Sequence, residues 1–433
     1  MKKKHPHGLT FEDALKYEDR ELARLLYKDA APAEQAEMNL RWRKEHRYPL
    51  VREERIDELL DISPGRNFDE AAFQRLVQDV EAASIHVPTD EECRAMDPRP
   101  INRPAAMLKV LMETKQDALL ERLLQAGLDL NKSMYDRTGE GTWPLDIACD
   151  YYPHFVPMFL KHGADPNGDG YWNIPLISAG IGEDVETINL LLAAGADPKL
   201  VSPEGWTLLG LAVNFEMDEL VYRLLEMGVD ANGGYDVEEY LPLADAIFLQ
   251  RSDYVERLLD AGASPFLVTA SDINPDDDGQ TPLHEAEEWL PRAENPQELE
   301  TAQRIVDAIY SRFPDIDRLP HIESWREENE QKHAYMNAAL WNAAAYGLRA
   351  DVQALLEYCG ADASACNKAG VPALAVAAQR GHAGVVYELL SYGADPATAA
   401  PMPTARQAFT AEVRRLLKVF EGGFAKKSRI GVQ

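Results

Sequence analysis

From about residue 105 to the C-terminus, apolar and polar positions recur in a fixed order. The stretch 369–396, AGVPALAVAAQRGHAGVVYELLSYGADP, shows it in full: a turn, a small-residue helix, a Gly-His corner, a second apolar helix and then Gly-Ala-Asp-Pro. Apolar residues at helical spacing indicate one buried face on each helix, and glycine and proline mark the turns. The pattern therefore predicts successive pairs of short helices.

Two kinds of residue return at the same place in successive units. A small residue lies in the first helix of each unit, where it lets neighbouring units approach closely; these are Ala148, Ala179, Ala212, Ala246, Ala286, Ala343 and Ala377. Leucine pairs lie in the second helix, and they are Leu190 with Leu191, Leu224 with Leu225, Leu258 with Leu259, and Leu389 with Leu390. Two short helices cannot bury their own apolar face, so stacked units bury it for each other.

A glycine is predicted to end each second helix, because the residue after a helix often takes a left-handed backbone conformation. These glycines are Gly127, Gly163, Gly195, Gly228, Gly262, Gly360 and Gly393. Most of them lie about 33 residues apart. The same phase holds across seven copies, which is typical of a repeat architecture.

One unit carries a family signature. Thr281-Pro282-Leu283-His284-Glu285-Ala286 matches the pattern T-P-L-H-x-A at every fixed position, and with the period of about 33 residues the chain resembles the ankyrin-repeat protein family. The resemblance implies an all-α fold, an ankyrin-repeat solenoid of about eight helix-turn-helix repeats with short hairpin turns. We expect it to span residues 101–433, to be interrupted near 287–333 by an insertion at 287–301 that leaves a second helix at 302–312, and to end in a capping helix at 405–420.

Residues 1–100 form a different region, in which we find no ankyrin phase. Thr10 with Asp13 resembles a helix start, and Ser63-Pro64-Gly65 is a break. The region is predicted to be irregular and helical. Two hypotheses remain open: a cap over the apolar end of the solenoid, or an accessory domain that binds a partner.

The likeness to ankyrin repeats also implies a working surface. Two variable residues follow the small residues of the first helix and face the concave side, and five of the seven pairs here contain an aromatic residue. Aromatic residues are enriched where proteins bind one another. The candidate partner-binding residues, with two from hairpin tips, are Tyr151, Tyr152, Trp172, Trp206, Phe215, Phe248, Trp289, Tyr346 and Arg380. The alternative is that several of them pack against neighbouring helices.

Net charge and cysteine content narrow the class of partner and the compartment. The formal net charge of −29 disfavours nucleic acid and anionic membranes and favours a basic protein partner. The alternative is that the acidic charge serves only to solvate the surface. The four cysteines show neither metal-ligand spacing nor a disulfide framework, which fits a reducing cytoplasm. No secretory signal and no 18-residue apolar stretch is visible, so a cytoplasmic location is expected.

Sequence motifs for metal binding or catalysis are weak or missing. Asn274, Asp276, Asp278 and Glu285 fit a calcium-loop spacing, but the pattern overlaps an ankyrin turn and shows no flanking pair of helices. There is no G-x-S-x-G, P-loop or H-E-x-x-H motif. We therefore expect no catalytic residue, no cofactor and no metal.

The sequence favours a non-enzymatic protein–protein interaction module that binds a basic partner in its concave groove. A toxin-neutralising immunity protein is a narrower form of this prediction. The alternatives are an enzyme whose N-terminal helices are catalytic while the repeats recruit substrate, or a secreted ankyrin effector directed at a host. The identity of the partner and the oligomeric state stay open.

Overall fold

The computed structural model describes residues 3, 5–6, 8–31, 34–35, 37–38, 41–42, 68–83, 85, 103–132, 134–135, 141–170, 173–202, 205–233, 241–267, 281–316, 330–400 and 409–425. Contacts divide the chain into two compact units. One unit comprises Arg52–Leu220, and the other comprises Met1–Val51 together with Val221–Gln433.

The described part of the chain is helical apart from one small hairpin, which confirms the predicted all-α class. The helices are Phe11–Lys16, Arg20–Asp29, Glu70–Ala82, Arg103–Glu113, Asp117–Gln125, Pro144–Tyr151, Val156–Lys161, Pro175–Ile181, Val185–Ala193, Leu208–Asn214, Asp218–Glu226, Pro242–Phe248, Ser252–Asp260, Pro282–Arg292, Pro296–Arg312, Glu330–Tyr346, Arg349–Glu357, Ala373–Arg380, Ala383–Ser391 and Ala411–Ala425. Strands Met134–Tyr135 and Gly141–Thr142 pair antiparallel, and single 3-10 turns occupy Pro153–Phe155 and Pro396–Ala399.

Several of the first helices start in one of two ways. The hydroxyls of Thr207 and Thr281 accept hydrogen bonds from backbone N–H groups three residues later, which satisfies donors that have no partner within the helix. Other first helices, such as those beginning at Pro175 and Pro242, place proline in the first turn, where its missing N–H is not needed.

A shared corner joins the first helix to the second in most pairs. At this corner one residue adopts a left-handed conformation, as at Glu183 with φ 53°. The N–H of the next residue, Asp184, then donates to the carbonyl of Ala179 at 3.0 Å. The same geometry occurs at Lys115, Glu216 and Gln250. The corner therefore satisfies carbonyls at the end of the first helix and reverses the chain in few residues.

The predicted repeat positions have the predicted structural roles. All seven glycines that the pattern places after second helices have positive φ. The seven small residues of the first helices are fully buried or nearly so. In the second helices, Leu191, Leu224, Leu258 and Leu389 are fully buried. Close packing of small first-helix residues and burial of second-helix leucines are thus confirmed.

Within Arg52–Leu220, the helix Glu70–Ala82 packs against Asp117–Gln125. It buries Phe73, Leu76 and Val80, and the backbone N–H of Asp69 donates to the carbonyl of Ala126 at 2.8 Å. The other described N-terminal helices, between residues 11 and 29, belong to the second unit. Whether residues 1–100 form one cap or accessory domain stays a prediction, since the boundary near residue 100 lies outside the described residues.

Residues 287–316, the first part of the interruption predicted near 287–333, are more regular than expected. Residues 287–292 continue the first helix to Arg292, and the second helix begins at Pro296 rather than at 302. Asn295 starts this helix early, because its side chain accepts hydrogen bonds from the N–H groups of Gln297 and Glu298. The expected insertion at 287–301 was thus wrong in this detail. Residues 317–329 lie outside the described part, and the final helix runs Ala411–Ala425 rather than 405–420.

Candidate binding surface

Large side chains stand at the C-terminal ends of first helices, and we call this set of positions the helix-end surface. In the unit Arg52–Leu220 the set comprises Tyr151, Ile181 and Phe215. Their helices pack side by side in chain order. Tyr151 is 71% exposed and Ile181 is 50% exposed, while Phe215 is half-buried. Exposed apolar groups are therefore aligned at one edge of this unit.

Tyr152 extends this edge. Its ring centroid lies 6.3 Å from that of Tyr151 and 6.5 Å from that of Phe155, both tilted. Partial burial, together with the negative charge of Glu113, raises the pKa of the Tyr152 hydroxyl. The hydroxyl stays protonated at neutral pH and can donate a hydrogen bond to a ligand.

Acidic side chains flank the same edge. The segments 181–190 and 214–219 contain no Lys, Arg or His. They hold Glu183, Glu186, Glu216 and Glu219, all exposed. Val185, 44% exposed, adds a further apolar side chain between them. The edge thus combines apolar contact area with a run of exposed carboxylates, a combination that suits a basic amphipathic ligand.

In the second unit, Phe248 and Trp289 differ in exposure. Phe248 ends the helix Pro242–Phe248 and is 68% exposed. Trp289 is half-buried and lines a shallow recess with Ile247, Ala302 and Ile305. Phe248 is therefore available to a ligand, whereas Trp289 is only partly exposed.

Tyr346 and Arg380 contact each other and form hydrogen bonds with neighbouring residues. The Arg380 guanidinium lies 5.4 Å from the Tyr346 ring centroid, donates to the carbonyl of Ala345 at 3.0 Å and reaches Asp315 at 3.3 Å. The N–H of Asp315 donates to the Tyr346 hydroxyl at 2.9 Å. These two candidates hold the end of the preceding segment in place, so the alternative of a packing role applies to them at least in part.

The two candidates at hairpin tips, Trp172 and Trp206, say little about partner binding. Trp206 is half-buried in a short bridge, where Ser202 N–H donates to the Trp206 carbonyl at 3.0 Å. Trp172 lies outside the described residues.

Among the described residues we find little that resembles a catalytic or metal-binding site. Burial raises the pKa of the Cys149 thiol, with nearby Asp146 adding to the shift, so this cysteine is held as the thiol rather than the reactive thiolate. No group of three or more His, Cys, Asp or Glu among the described residues is placed to hold a metal ion. Glu285 lies on a first helix as expected, and the other positions of the calcium-like pattern lie outside the described residues.

One comparison identifies the repeats. Residues 176–269 match the family model described as ankyrin repeats, in three copies. The matched segment contains the helix pairs whose ends carry Ile181, Phe215 and Phe248. None of the helices in the described part of the chain is both long and apolar enough to span a membrane.

Proposed function

Because the chain is an ankyrin-repeat protein, we propose that it acts by binding a protein partner through its helix-end surface and not by catalysis. One observation carries this proposal: Tyr151 and Ile181, large and well exposed, end two adjacent first helices beside a run of acidic side chains. Neighbouring aromatic and apolar side chains that are exposed to solvent contribute favourable binding free energy when a partner buries them.

The partner that fits this edge is a basic protein segment with an apolar stripe. The stripe covers Tyr151, Ile181 and Phe215, and Lys or Arg side chains approach Glu183, Glu186 and Glu219. The net charge of −29 speeds the encounter with a basic partner and repels nucleic acid and anionic membranes. A basic toxic enzyme neutralised by this surface is the narrower form of the proposal.

Two further parts of the proposal concern architecture and location. We infer about eight ankyrin repeats in residues 101–433, because the seven alanines mark every unit except the first and the seven glycines mark every unit except the sixth. We place the protein in the cytoplasm, because Cys149, Cys359 and Cys366 are free thiols.

The test is capture of partners from the native lysate by the wild-type chain and by the double variant Tyr151→Ala with Ile181→Ala. Both side chains are exposed, so the variant keeps its fold, and we expect it to lose most of the captured protein. Capture should also weaken as salt rises, because the acidic edge is solvated and its attraction is screened.

The matched control is Tyr358→Ala. Tyr358 is 63% exposed, close to the exposure of Tyr151, but it follows the second helix Arg349–Glu357. We expect this variant to capture the partner normally. Equal loss in both variants, or capture by neither wild type nor variants at any salt, contradicts the assignment to the helix-end surface.

A further inference from the structure

The N-terminal residues 10–29 have the local backbone of a repeat. Thr10 caps the helix Phe11–Lys16 by accepting from Asp13 N–H. Glu18 is left-handed with φ 46°, and Asp19 N–H donates to the carbonyl of Ala14 at 2.9 Å. This is the corner that Glu183 makes with Asp184 and Ala179. Sequence reasoning found no repeat phase here, because the first helix is short and no glycine ends the second helix.

The last regular second helix is buried on all sides. In Ala383–Ser391 every residue from Val385 to Ser391 is buried. The corresponding helix Val185–Ala193 buries only Thr187, Ile188 and Leu191. A second helix that packs only against its own repeat and its neighbours keeps an outer face in water. Something must therefore cover the outer face of Ala383–Ser391.

An aromatic contact provides part of the cover. The Tyr17 ring stacks on the Tyr387 ring with centroids 4.3 Å apart and an interplanar angle of 11°. The Tyr387 hydroxyl donates to the Asp19 carboxylate at 2.8 Å. All three side chains are almost fully buried. Tyr17 and Asp19 flank the N-terminal corner, so the corner itself contacts the helix.

Paired charges complete the buried part of this contact. Glu388 is fully buried and lies 2.9 Å from Arg349 and 3.2 Å from Lys3. Asp19 accepts from His5 at 3.1 Å. Burial tends to raise the pKa of Asp19, but the hydrogen bond from His5 and the charge of Lys3 hold it below its usual range. Removing one partner of such a buried pair leaves the other charge uncompensated, which is strongly unfavourable.

The rim of the contact reaches the final helix, Ala411–Ala425. Glu412 accepts from Lys16 at 2.8 Å and from the Tyr17 hydroxyl at 2.5 Å. Arg415 binds Asp13 at 2.5 Å. The hydrogen bond from Arg415, with those from Lys16 and Tyr17, lowers the pKa of Glu412 to about 2, so its charge persists over the whole neutral and mildly acidic range.

We propose that the described residues between 3 and 29 are an intramolecular clasp, a displaced repeat-like hairpin that closes the outer face of Ala383–Ser391 and holds the final helix in place. Displacing the clasp uncovers Tyr387 and Glu388. The proposal is independent of the helix-end surface and of its partner.

Hydrogen exchange on the full chain tests the clasp. Tyr17→Ala removes the stacked ring, so we expect exchange in residues 383–391 and 411–425 to rise about tenfold or more, while residues 185–193 stay unchanged. Equal acceleration in all three segments, or none in residues 383–391, overturns the proposal.

Because Tyr17→Ala could act by unfolding the chain, a pair of surface substitutions tests the clasp separately. Lys16→Glu faces the carboxylate of Glu412, whereas Lys28→Glu makes the same charge change at an exposed position of the same hairpin. We expect faster exchange in residues 383–391 with Lys16→Glu only, and the effect should shrink at high salt. The same response to both variants, or to neither, contradicts the clasp.

A synthetic peptide of residues 3–29 provides an independent readout. It should bind the full-length Lys16→Glu chain, whose own clasp is weakened, more tightly than it binds the wild-type chain, where the face is occupied. Equal affinity for the two chains overturns the proposal.

Discussion

At the scale of single residues, carboxyl groups with shifted pKa values fall into two classes. Asp146 and Asp351 have hydroxyl partners, Ser178 at 2.7 Å and Ser264, and no cation among their described contacts; burial raises the pKa of each to about 7. Asp253 instead binds Arg251, whose hydrogen bonds lower its pKa to about 2. The first class weakens the fold when ionised, and the second strengthens it.

The first class makes stability depend on pH near neutrality. An aspartate with a folded pKa of about 7 and an unfolded pKa near 3.9 binds more protons when folded, so it makes stability fall as pH rises between about 4 and 7. We expect Asp351→Asn to remove part of this slope and to stabilise the chain at pH 8 by about 1–3 kcal/mol. Thermal unfolding from pH 5 to 8 measures both effects.

Asp307→Asn is the control for this experiment. Asp307 is exposed, so its substitution removes one carboxylate without changing a buried charge. Its stability should follow the wild-type curve. A wild-type slope that Asp351→Asn leaves unchanged contradicts the assignment of that slope to Asp351.

At the scale of elements, the repeat corners carry strain that the sequence pattern does not show. In the last repeats the left-handed corner position is glycine, as at Gly381. Glu183, Glu216 and Gln250 occupy the same conformation with φ between 51° and 55°. A side chain with Cβ is unfavourable in that region, so tertiary packing must hold these corners in place.

Glu183→Gly should therefore stabilise the unit Arg52–Leu220. The variant relieves the left-handed conformation but adds glycine's chain entropy in the unfolded state, so the expected net gain is about 0.5–1 kcal/mol. Glu183→Ala is the matched variant, because alanine loses the same carboxylate and keeps Cβ. Urea unfolding that shows equal gains for glycine and alanine would attribute the gain to charge rather than to backbone conformation.

At the scale of the whole molecule, the excess of negative charge destabilises the folded state. The chain carries 73 acidic against 44 basic side chains. Short ion pairs such as Lys16 with Glu412 at 2.8 Å offset part of the repulsion locally. The remaining like charges are distributed over exposed segments, including the acidic edge beside Ile181, and repel one another in the folded state.

Salt should consequently raise the thermal midpoint of the free protein. Between about 20 and 200 mM NaCl the screening length falls severalfold, which weakens repulsion between exposed carboxylates more than it weakens buried ion pairs. A non-ionic solute at equal osmolarity is the control. A midpoint that falls with salt would mean that ion pairs, not net repulsion, dominate the electrostatic free energy of folding.

The local sequence pattern was sufficient to predict the positions of the repeat helices. Alanine in the first helix, leucine in the second helix and glycine after it are constraints that neighbouring units impose in most copies, so periodicity alone reveals them. The helix Pro296–Arg312, which ends at Phe313 without a glycine, is an exception. Ala179, Leu191 and Gly195 have the predicted burial and backbone conformation. The prominence of Tyr151 and Phe248 at first-helix ends could be predicted for the same reason, although their role in binding stays a proposal.

Contacts between residues far apart in the chain were settled only by the folded structure. Tyr17 meets Tyr387 across 370 positions of sequence, and no periodic signal encodes such a pairing. The partial burial of Trp289 and the anchoring of Tyr346 by Arg380 likewise depend on what packs beside each helix end. A sequence pattern reports which face of an element is apolar, whereas the identity of the element that covers that face is decided by tertiary packing.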